Sequence, residues 1–323
     1  MKIALLGTSH WHAKMHHEAA LAAGAEIVAA WDASEAHSAE FAARTGIPNA
    51  ATPEAALAGA DLAVLMGHPR EIPDLARRLF AMGMPMILEK PAAAGTVQLE
   101  ALLAEAAHNN AFVAVPLPNR HGPAMTELRR LMAEGHTGHV RHAGFRLING
   151  PPKRYRLDGV DWILDPHIAG GGALRNLGIH GVDAAISLAR GPLRVASSHI
   201  GKRIHTNEAI EDHAVVVLCD ESGALFVIET GYTYASMEPG GDFEWRIATT
   251  NTTLIDRGDM AFAVRLDDGQ RYELPPEPTS LRYRRFMIDT LERLASGRPP
   301  AVTLADYVKA MRLIDVAYEK AKQ

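Results

Sequence analysis

The sequence from Met84 onwards reads Met84-Pro-Met-Ile-Leu-Glu-Lys-Pro91, an apolar run that ends in two charged residues and a proline. We predict a short buried strand over residues 86–88. Pro91 cannot extend a strand ladder and biases Lys90 towards an extended backbone, so Lys90 lies in a turn at the strand end. In an open parallel sheet, ligands bind beyond the carboxyl ends of the strands. The alternative is an exposed lysine in an ordinary strand-to-helix turn, and position alone does not decide between the two.

Strand and helix patterns alternate around this stretch. Buried strands are predicted at 3–6, 25–31, 62–66, 86–88 and 112–115, and helices at about 13–23, 35–44 and 71–82, the second of them capped by Ser34. This alternation with short connections predicts a right-handed, doubly wound parallel sheet. We therefore predict a doubly wound α/β domain over residues 1–118.

The pattern changes after residue 118. A helix at about 124–134 precedes strand candidates of period two at 139–148, 193–200, 213–219, 224–230, 243–249 and 261–266. Turn signals separate several of them, which favours an open, mainly antiparallel sheet. Helices at about 281–296 and 303–322 end the chain. Residues 119–323 are thus predicted to form a second domain, of the α+β class.

Composition narrows the class of protein. The 323 residues carry a formal net charge of −5 without a basic block, which argues against nucleic acid or an anionic membrane as the main partner. The single cysteine, Cys219, excludes an intrachain disulfide and fits a reducing compartment. The opening apolar run is too short for a signal peptide or a membrane span, so we expect a cytoplasmic protein.

The loop after the first strand has the context of a dinucleotide site. A strand, a glycine and a helix start follow one another, and the amide groups and dipole of a helix N-terminus bind pyrophosphate. The fingerprint G-x-G-x-x-G is incomplete, because Ser9 and His12 stand at its second and third glycines. A strand–turn–helix without cofactor is the alternative. The candidate cofactor ligands in this loop are Gly7, Thr8, Ser9, His10, Trp11 and His12.

Asp32 supports a cofactor. It follows the second strand, near the spacing expected for an acid that binds the adenosine ribose hydroxyls. Its charge would repel a 2′-phosphate, and no Arg or Lys occurs over residues 33–41, so we favour NAD over NADP. The alternative is a helix-capping role, for which Ser34 is better placed.

Three glycines, at 170–172, precede a predicted helix over residues 173–189. Asn176, His180, Asp183 and Ser187 lie at i, i+4, i+7 and i+11, on one stripe of that helix. No Lys or Glu occurs from 176 to 189, whereas a solvated face would normally carry them. The stripe therefore indicates the floor of a polar cavity, or alternatively a core histidine that bonds to Asp183 or Asn176.

His180 and Lys90 suggest a reaction. Histidine is the natural general base near neutral pH, and an adjacent ammonium group stabilises a developing alkoxide. If the two domains face each other, His180 would remove a hydroxyl proton and a nicotinamide would receive hydride from the same carbon.

Together these stretches resemble the Gfo/Idh/MocA oxidoreductases, named after glucose–fructose oxidoreductase and inositol 2-dehydrogenase. Glu89-Lys-Pro91 is similar to the E-K-P signature, and residues 119–123 and 131–140 resemble the segment N-R-F-x-P…L-x-x-G-x-x-G-x-V. Residues 170–183 resemble G-G-G-x-L-x-D-x-G-x-H-x-x-D. The resemblance implies a dinucleotide-binding Rossmann domain over residues 1–118 and hydride transfer on sugars or polyols. It also implies that residues 119–323 form an α+β domain with an open, mainly antiparallel sheet, which binds substrate and supports oligomerisation.

The resemblance also implies residue roles. Lys90 and His180 correspond to the catalytic lysine and histidine, and Asn176 stands where the family has an aspartate, so it supplies no negative charge. His68 replaces the threonine of a Thr-Pro pair near the nicotinamide ribose, and Pro73 replaces a histidine. The phosphate loop is one residue longer than the loop that is usual in the family. The candidate catalytic residues are Lys90, His180 and Asn176, and the further cofactor ligands are Gly67, His68, Pro69, Glu89, Lys90 and Asn119.

The loop before the three glycines is basic and aromatic, and in the family this region borders the substrate. Arginine binds acidic groups by bidentate contacts, so an acidic sugar derivative is one option. An exposed basic loop or a subunit contact is the other. The candidate substrate ligands are Lys90, Arg154, Tyr155, Arg156, Trp162, Asn176, His180 and Asp183.

A metal site is not predicted. His12 and His16 have a zinc-ligand spacing, but Glu18 is the one carboxylate near them in the sequence. The leading hypothesis is an NAD-dependent dehydrogenase of a sugar or polyol, with a small carbohydrate as partner. The alternatives are an NAD-dependent glycosidase, which oxidises transiently and then eliminates, and a non-catalytic NAD-binding sensor. An open sheet has a face to cover, so a homodimer or homotetramer is expected.

Overall fold

Five short strands with buried side chains form the first sheet of the protein, whose computed structural model describes residues 1–238 and 240–322. They run parallel in the order β2-β1-β3-β4-β5. Their bounds are β1 (Lys2–Leu6), β2 (Glu26–Trp31), β3 (Leu62–Leu65), β4 (Met86–Leu88) and β5 (Val113–Ala114). The doubly wound parallel sheet is therefore confirmed, and its carboxyl edge carries the loops after β1, β3 and β4.

Five helices connect these strands. They are α1 (Ala13–Ala22), α2 (Glu35–Thr45), α3 (Pro53–Leu57), α4 (Ile72–Ala81) and α5 (Thr96–His108). The Ser34 side chain accepts a hydrogen bond from the His37 amide, which confirms the predicted cap of α2. The sequence interpretation missed α3 and α5. Thr52 caps the five-residue α3, which is too short to show a helical period.

The second sheet has eight strands in the order β13-β12-β11-β10-β6-β9-β8-β7. It is antiparallel except for the pairing of β6 with β9, so the mainly antiparallel prediction is confirmed. The strands are β6 (Val140–Asn149), β7 (Arg194–Gly201), β8 (His213–Cys219), β9 (Leu225–Gly231), β10 (Gly241–Thr249), β11 (Thr252–Asp256), β12 (Ala261–Arg265) and β13 (Arg271–Leu274).

Strands β11 and β13 were not predicted. The inward-facing residues of β11 are Thr252, Leu254 and Asp256, so two of the three are polar and the apolar alternation is lost. Asp256 can lie inside because Arg282 pairs with it at 2.9 Å. A buried ion pair between distant segments leaves no local signal in the sequence.

Among the described residues, six α-helices belong to the later part of the chain. They are α6 (Pro123–Ala133), α7 (Lys153–Leu157), α8 (Pro166–Ala169), α9 (Ile179–Leu188), α10 (Thr279–Ala295) and α11 (Leu304–Ala321). Helix α10 returns to the first sheet, where Tyr283 and Phe286 share a core with Ile3 and Leu5. The strands before residue 118 all belong to the first sheet and those after it to the second. Helix α10 nevertheless packs on the first sheet, so the domain boundary at residues 118/119 stays a prediction.

Over the described residues, we find no helix with the length and apolar character needed to cross a membrane.

Candidate active site

Two glycines let the loops after β1 and β3 touch. Gly7 and Gly67 have φ values of +86° and +101°, which L side chains rarely adopt. A Cβ on Gly7 would also collide with the carbonyl of Met66. The phosphate-loop candidate and the predicted nicotinamide-ribose loop are thus brought together at one edge of the sheet.

The loop after β1 is fixed by Asp32. One carboxylate oxygen accepts the Ser9 amide at 2.7 Å and the other accepts the Ser34 amide at 2.8 Å. A carboxylate can accept up to four hydrogen bonds, so Asp32 retains capacity for a ribose hydroxyl. The sequence interpretation assigned Asp32 to the ribose, with a helix-capping role as the alternative, and missed its hydrogen bond to the Ser9 amide.

A cavity of about 540 Å³ opens beside this loop and is lined in part by Thr8, Ser9, His10 and Trp11. The Thr8 hydroxyl and the His10 Nε2 atom are buried without hydrogen-bond partners among the described residues. The His12 amide donates to His10 Nδ1 at 3.1 Å, so Nε2 carries the proton of a neutral His10. Two orphaned donors at a helix start fit the oxygens of a dinucleotide pyrophosphate.

Glu89 is the centre of a buried hydrogen-bond network. Its Oε1 atom lies 2.7 Å from His12 Nδ1, 3.1 Å from His16 Nε2 and 3.1 Å from the Tyr283 hydroxyl. Its Oε2 atom accepts the Lys90 amide at 2.6 Å. Burial would raise the pKa of Glu89, but these interactions hold it well below its usual range. Glu89 is therefore a buried anion directly beside Lys90 in the chain.

The Lys90 side chain extends from the end of β4 to Asn176, which follows the three glycines. Its Nζ atom donates to the side-chain and main-chain oxygens of Asn176, at 3.0 and 3.1 Å. Burial lowers the pKa of Lys90 from 10.5 to about 8, and the charge of Glu89 opposes this decrease. The predicted meeting of Lys90 with the segment after the three glycines is present in the structure.

The segment after the glycines is not a uniform α-helix, which corrects the prediction for residues 173–189. Leu174–Gly178 forms a π-helical turn and α9 begins at Ile179. A π turn changes the angular register, so Asn176 is rotated relative to His180, Asp183 and Ser187, which lie on the regular helix α9. Asn176 faces Lys90, whereas the carboxylate of Asp183 accepts two hydrogen bonds from Arg120, at 2.5 and 2.6 Å. Asp183 is a buried ion-pair partner here, and the structure does not bring it to Lys90.

His180 lies on the first turn of α9 and is buried. Burial, together with the charges of Lys90 and His12, lowers its pKa well below 6.5. Its Nδ1 atom has no hydrogen-bond partner within residues 1–238 and 240–322. A neutral imidazole with a free nitrogen can accept a proton from a bound alcohol.

Glu211 holds the glycine turn, a contact that the sequence interpretation missed. Its carboxylate accepts the amides of Gly172 and Leu174 at 2.9 and 3.0 Å. The Tyr318 hydroxyl of α11 donates to the same carboxylate at 2.6 Å. The start of the π turn is thereby fixed from two other elements.

Aromatic rings from both halves of the chain meet next to Lys90. The Trp11 and Trp162 ring centroids are 5.6 Å apart, and Trp162 lies 5.5 Å from His68. The Lys90 Nζ atom is 5.7 Å from the Trp11 ring centroid, and the Tyr155 ring is 6.2 Å from it. One aromatic cluster thus contains Trp162, His68 and Tyr155, which are candidates to line a single substrate cleft.

Three other predicted ligands have protein partners. Both terminal nitrogens of Arg156 donate to Glu208, at 2.9 and 2.6 Å, so its charge is compensated on the surface. Arg154 donates weakly to the Gly240 carbonyl at 3.4 Å. The side-chain oxygen of Asn119 accepts from Arg282 at 3.1 Å. Arg156 therefore supports an acidic substrate less strongly than the sequence suggested. Pro69, which follows His68 in the chain, is buried.

His10, His12 and Glu89 each place a possible metal-ligand atom within 4.8 Å of the others. The sequence interpretation had found no suitable carboxylate, because Glu89 is distant in the chain. In this structure Glu89 already accepts protein hydrogen bonds on both oxygens, and the lone pair of His10 Nδ1 accepts the His12 amide. The cluster is accounted for as a hydrogen-bond network.

Comparisons with known proteins agree with this geometry. Residues 1–117 match the model of an oxidoreductase family with an NAD-binding Rossmann fold, and residues 125–255 match the GFO/IDH/MocA C-terminal domain. A protein of Amycolatopsis mediterranei (strain S699), assigned as a UDP-kanosamine synthase oxidoreductase subunit, is 34% identical over 161 residues. That alignment covers 49% of this chain and 43% of the relative, so the chain matches less than half of the curated relative's length.

Solved structures show the same fold over the whole chain. An oxidoreductase from Agrobacterium radiobacter, in complex with NAD+, L-tartaric acid and magnesium, has a TM-score of 0.85 at 20% identity, covering 100% of this chain and 96% of that one. A levoglucosan dehydrogenase in complex with NADH and levoglucosan also has a TM-score of 0.85, at 17% identity, covering 100% and 97%. With both halves matched by the models of one family, the chain belongs to the Gfo/Idh/MocA family of oxidoreductases.

Proposed function

We propose that this protein is an NAD-dependent dehydrogenase that oxidises a hydroxyl-bearing carbon of a sugar, polyol or related derivative. The observation that carries the proposal is the contact of Lys90 with Asn176 beside the neutral His180. An ammonium group and an uncharged imidazole in one buried place are the two groups that alcohol oxidation needs.

The three residues Lys90, His180 and Asn176 have different roles in this reaction. Lys90, charged below a pKa of about 8, stabilises negative charge on the substrate oxygen. His180 accepts the hydroxyl proton through a free ring nitrogen. Asn176 holds Lys90 in place through two oxygens. When bound, the nicotinamide would accept the hydride from the same carbon.

The residues at the carboxyl edge of the first sheet fit a dinucleotide. Thr8 and His10 supply unpaired donors for the pyrophosphate, and Asp32 retains acceptor sites for ribose hydroxyls. The Asp32 charge favours NAD over NADP. Arg44 lines the same cavity, but its guanidinium lies 3.7 Å from Glu40, which offsets its attraction for a 2′-phosphate.

The test is a screen of NAD-linked oxidation across sugars, polyols and sugar acids, including phosphorylated and sulfonated ones, followed by NADH absorbance. Net NADH formation on a member of this panel is the expected result. Release of a sugar without net NADH would replace the proposal with an NAD-dependent glycosidase. Binding of NAD+ without turnover on any compound would favour a sensor, and failure to bind any dinucleotide would end the proposal.

Assembly is a further part of the proposal. The open eight-stranded sheet has a face that a second copy can cover, so we expect a homodimer or homotetramer. Light scattering after size exclusion measures the mass directly, and a monomer at micromolar concentration would contradict it.

A further inference from the structure

The orientation of the Asn176 carboxamide is fixed by chemistry. Lysine has only donors, so the atom 3.0 Å from Lys90 Nζ must be the side-chain oxygen. The amide nitrogen therefore points the other way, where it donates to the hydroxyls of Tyr155 and Tyr232 at 3.2 and 3.0 Å.

This orientation determines what the two tyrosines can do. Each hydroxyl oxygen accepts a hydrogen bond from Asn176, so each hydroxyl proton must point away from that residue. Tyr155 also receives a long contact of 3.5 Å from Asn149. The Tyr232 hydroxyl is also in hydrogen-bond contact with Tyr155, as a donor to its oxygen, so among the described residues no side chain accepts the Tyr155 proton. Burial raises the pKa of Tyr155, and hydrogen bonds from Asn149, Asn176 and Tyr232 oppose the rise, so the hydroxyl stays protonated at neutral pH.

Tyr155 and Tyr232 differ in their access to a ligand. Tyr232 is completely buried, whereas Tyr155 is 8% exposed and lies on α7. The residues that follow Tyr155 on and after this helix, from Leu157 to Gly159, line the cavity beside the phosphate loop. Trp11 contacts both the Tyr155 ring and the Lys90 ammonium. Tyr155 and Lys90 therefore pack against the same ring, that of Trp11, which itself lines the cavity.

We propose that Tyr155 is a further catalytic residue, whose hydroxyl donates a hydrogen bond to the same substrate oxygen that Lys90 stabilises. This inference rests on the proposed dehydrogenase function. No proton is transferred by Tyr155. The hydrogen bond strengthens as negative charge develops on the oxygen, which is how a donor aimed at an oxyanion accelerates a reaction. Asn176 acts as the positioning residue, because an amide nitrogen, unlike a carboxylate, leaves the Tyr155 proton available.

The matched variant is Tyr155→Phe, which keeps the ring and removes the hydroxyl. We expect kcat/KM to fall by at least about tenfold, with the NAD+ dissociation constant and the melting temperature close to those of the wild type. Tyr272→Phe, on the edge strand β13, where the hydroxyl donates to Glu127, is the control and should retain wild-type rates. A rate for Tyr155→Phe equal to that of the wild type overturns the inference. So does a loss accompanied by weak NAD+ binding or a low melting temperature, since it would show a structural role.

A second pair of variants tests the role of Asn176. In Asn176→Asp, the new carboxylate accepts the Tyr155 proton, so the substrate loses this donor. We expect Tyr155→Phe to cost less than about threefold in the Asn176→Asp background. An equal loss in both backgrounds overturns the inference.

Ligand binding separates this inference from the proposed function. D-glucose, myo-inositol and UDP-glucose are titrated calorimetrically into the NAD+ complex, beside the rate assays. A wild type that binds or oxidises one of them, with Tyr155→Phe unchanged in both respects, overturns the role of Tyr155 alone. A wild type that binds NAD+ but neither binds nor oxidises any of the three, nor any member of the wider panel, overturns both proposals.

Discussion

The Lys90 ammonium donates to the side-chain oxygen of Asn176 across 3.0 Å and to its main-chain oxygen across 3.1 Å. This pair of contacts joins the end of β4, a strand of the first sheet, to the π-helical turn before α9, which packs against β6 and β9 of the second sheet. An ammonium group has three N–H donors. Two are used by Asn176, and residues 1–238 and 240–322 supply no acceptor for the third, so one is available for a ligand in the cleft beside Trp11.

Lys90→Met should abolish most activity, because the buried site would lose its positive charge. We expect kcat/KM to fall by at least about a hundredfold, while NAD+ still binds, since the loop after β1 does not depend on Lys90. Lys309→Met, on the exposed face of α11, is the matched control. Near-normal turnover of Lys90→Met would remove Lys90 from the mechanism.

His180→Ala should cause a loss of similar size, at least about a hundredfold in kcat. The imidazole is the uncharged base of the proposed reaction, and its Nδ1 atom has no competing partner in the described chain. NAD+ affinity, measured by quenching of tryptophan fluorescence, should be retained. His199→Ala on β7, away from the cleft, is the control, and equal rates for the two variants would contradict the role of His180.

The pH dependence of kcat/KM should have an alkaline limb near pH 8. Lys90 is charged below its pKa of about 8, so activity is present below this pH and is lost as the pH rises through it. The negative charge of Glu89 raises the pKa of Lys90. Glu89→Gln removes that charge, so the limb should move to lower pH. A limb that stays in place would show that Lys90 does not set it.

Most of the fold could be predicted from local signals. Buried strands flanked by glycine and charged turns, and the Ser34 cap of α2, follow from short-range chemistry, and β4 was predicted with its observed bounds. Strand β11 could not be predicted, because Asp256 can face inward only when Arg282, which is 26 residues later in the chain, lies beside it. Burial of a charge depends on a partner that periodicity does not reveal.

The candidate site shows the same limit. The meeting of Lys90, Asn176 and His180 was predicted from motif order, but not the partners that hold them. The Tyr283 hydroxyl of α10 donates a hydrogen bond to Glu89, and the Tyr318 hydroxyl of α11 donates one to Glu211. Both contacts span more than a hundred residues of sequence. The π turn was also missed, since a 3.6-residue period was assumed throughout residues 173–189.

Asp183→Asn tests whether Asp183 serves the substrate or the fold. Its carboxylate is 1% exposed and accepts two bonds from Arg120. Removing one partner of a buried ion pair leaves an uncompensated charge, so we expect the free energy of unfolding to fall by about 3–5 kcal/mol in urea titrations. KM should change little. Glu100→Gln, which breaks the exposed pair with Arg312, should leave stability nearly unchanged, and a large rise in KM for Asp183→Asn would restore the substrate role.

Asp32→Asn tests cofactor preference. The Asp32 carboxylate accepts the Ser9 and Ser34 amides, and its charge lies at the end of β2, where the ribose is expected. Asparagine keeps one side-chain acceptor but loses the charge, so NAD+ should bind more weakly and repulsion of a 2′-phosphate should disappear. We expect the ratio of the NADP+ to the NAD+ dissociation constant to fall by about tenfold. Asp61→Asn is the control, because Asp61 accepts the Lys2 amide at 2.8 Å at the opposite end of the same sheet. If both variants keep the wild-type ratio, Asp32 only fixes the loop, and the preference for NAD loses its physical basis.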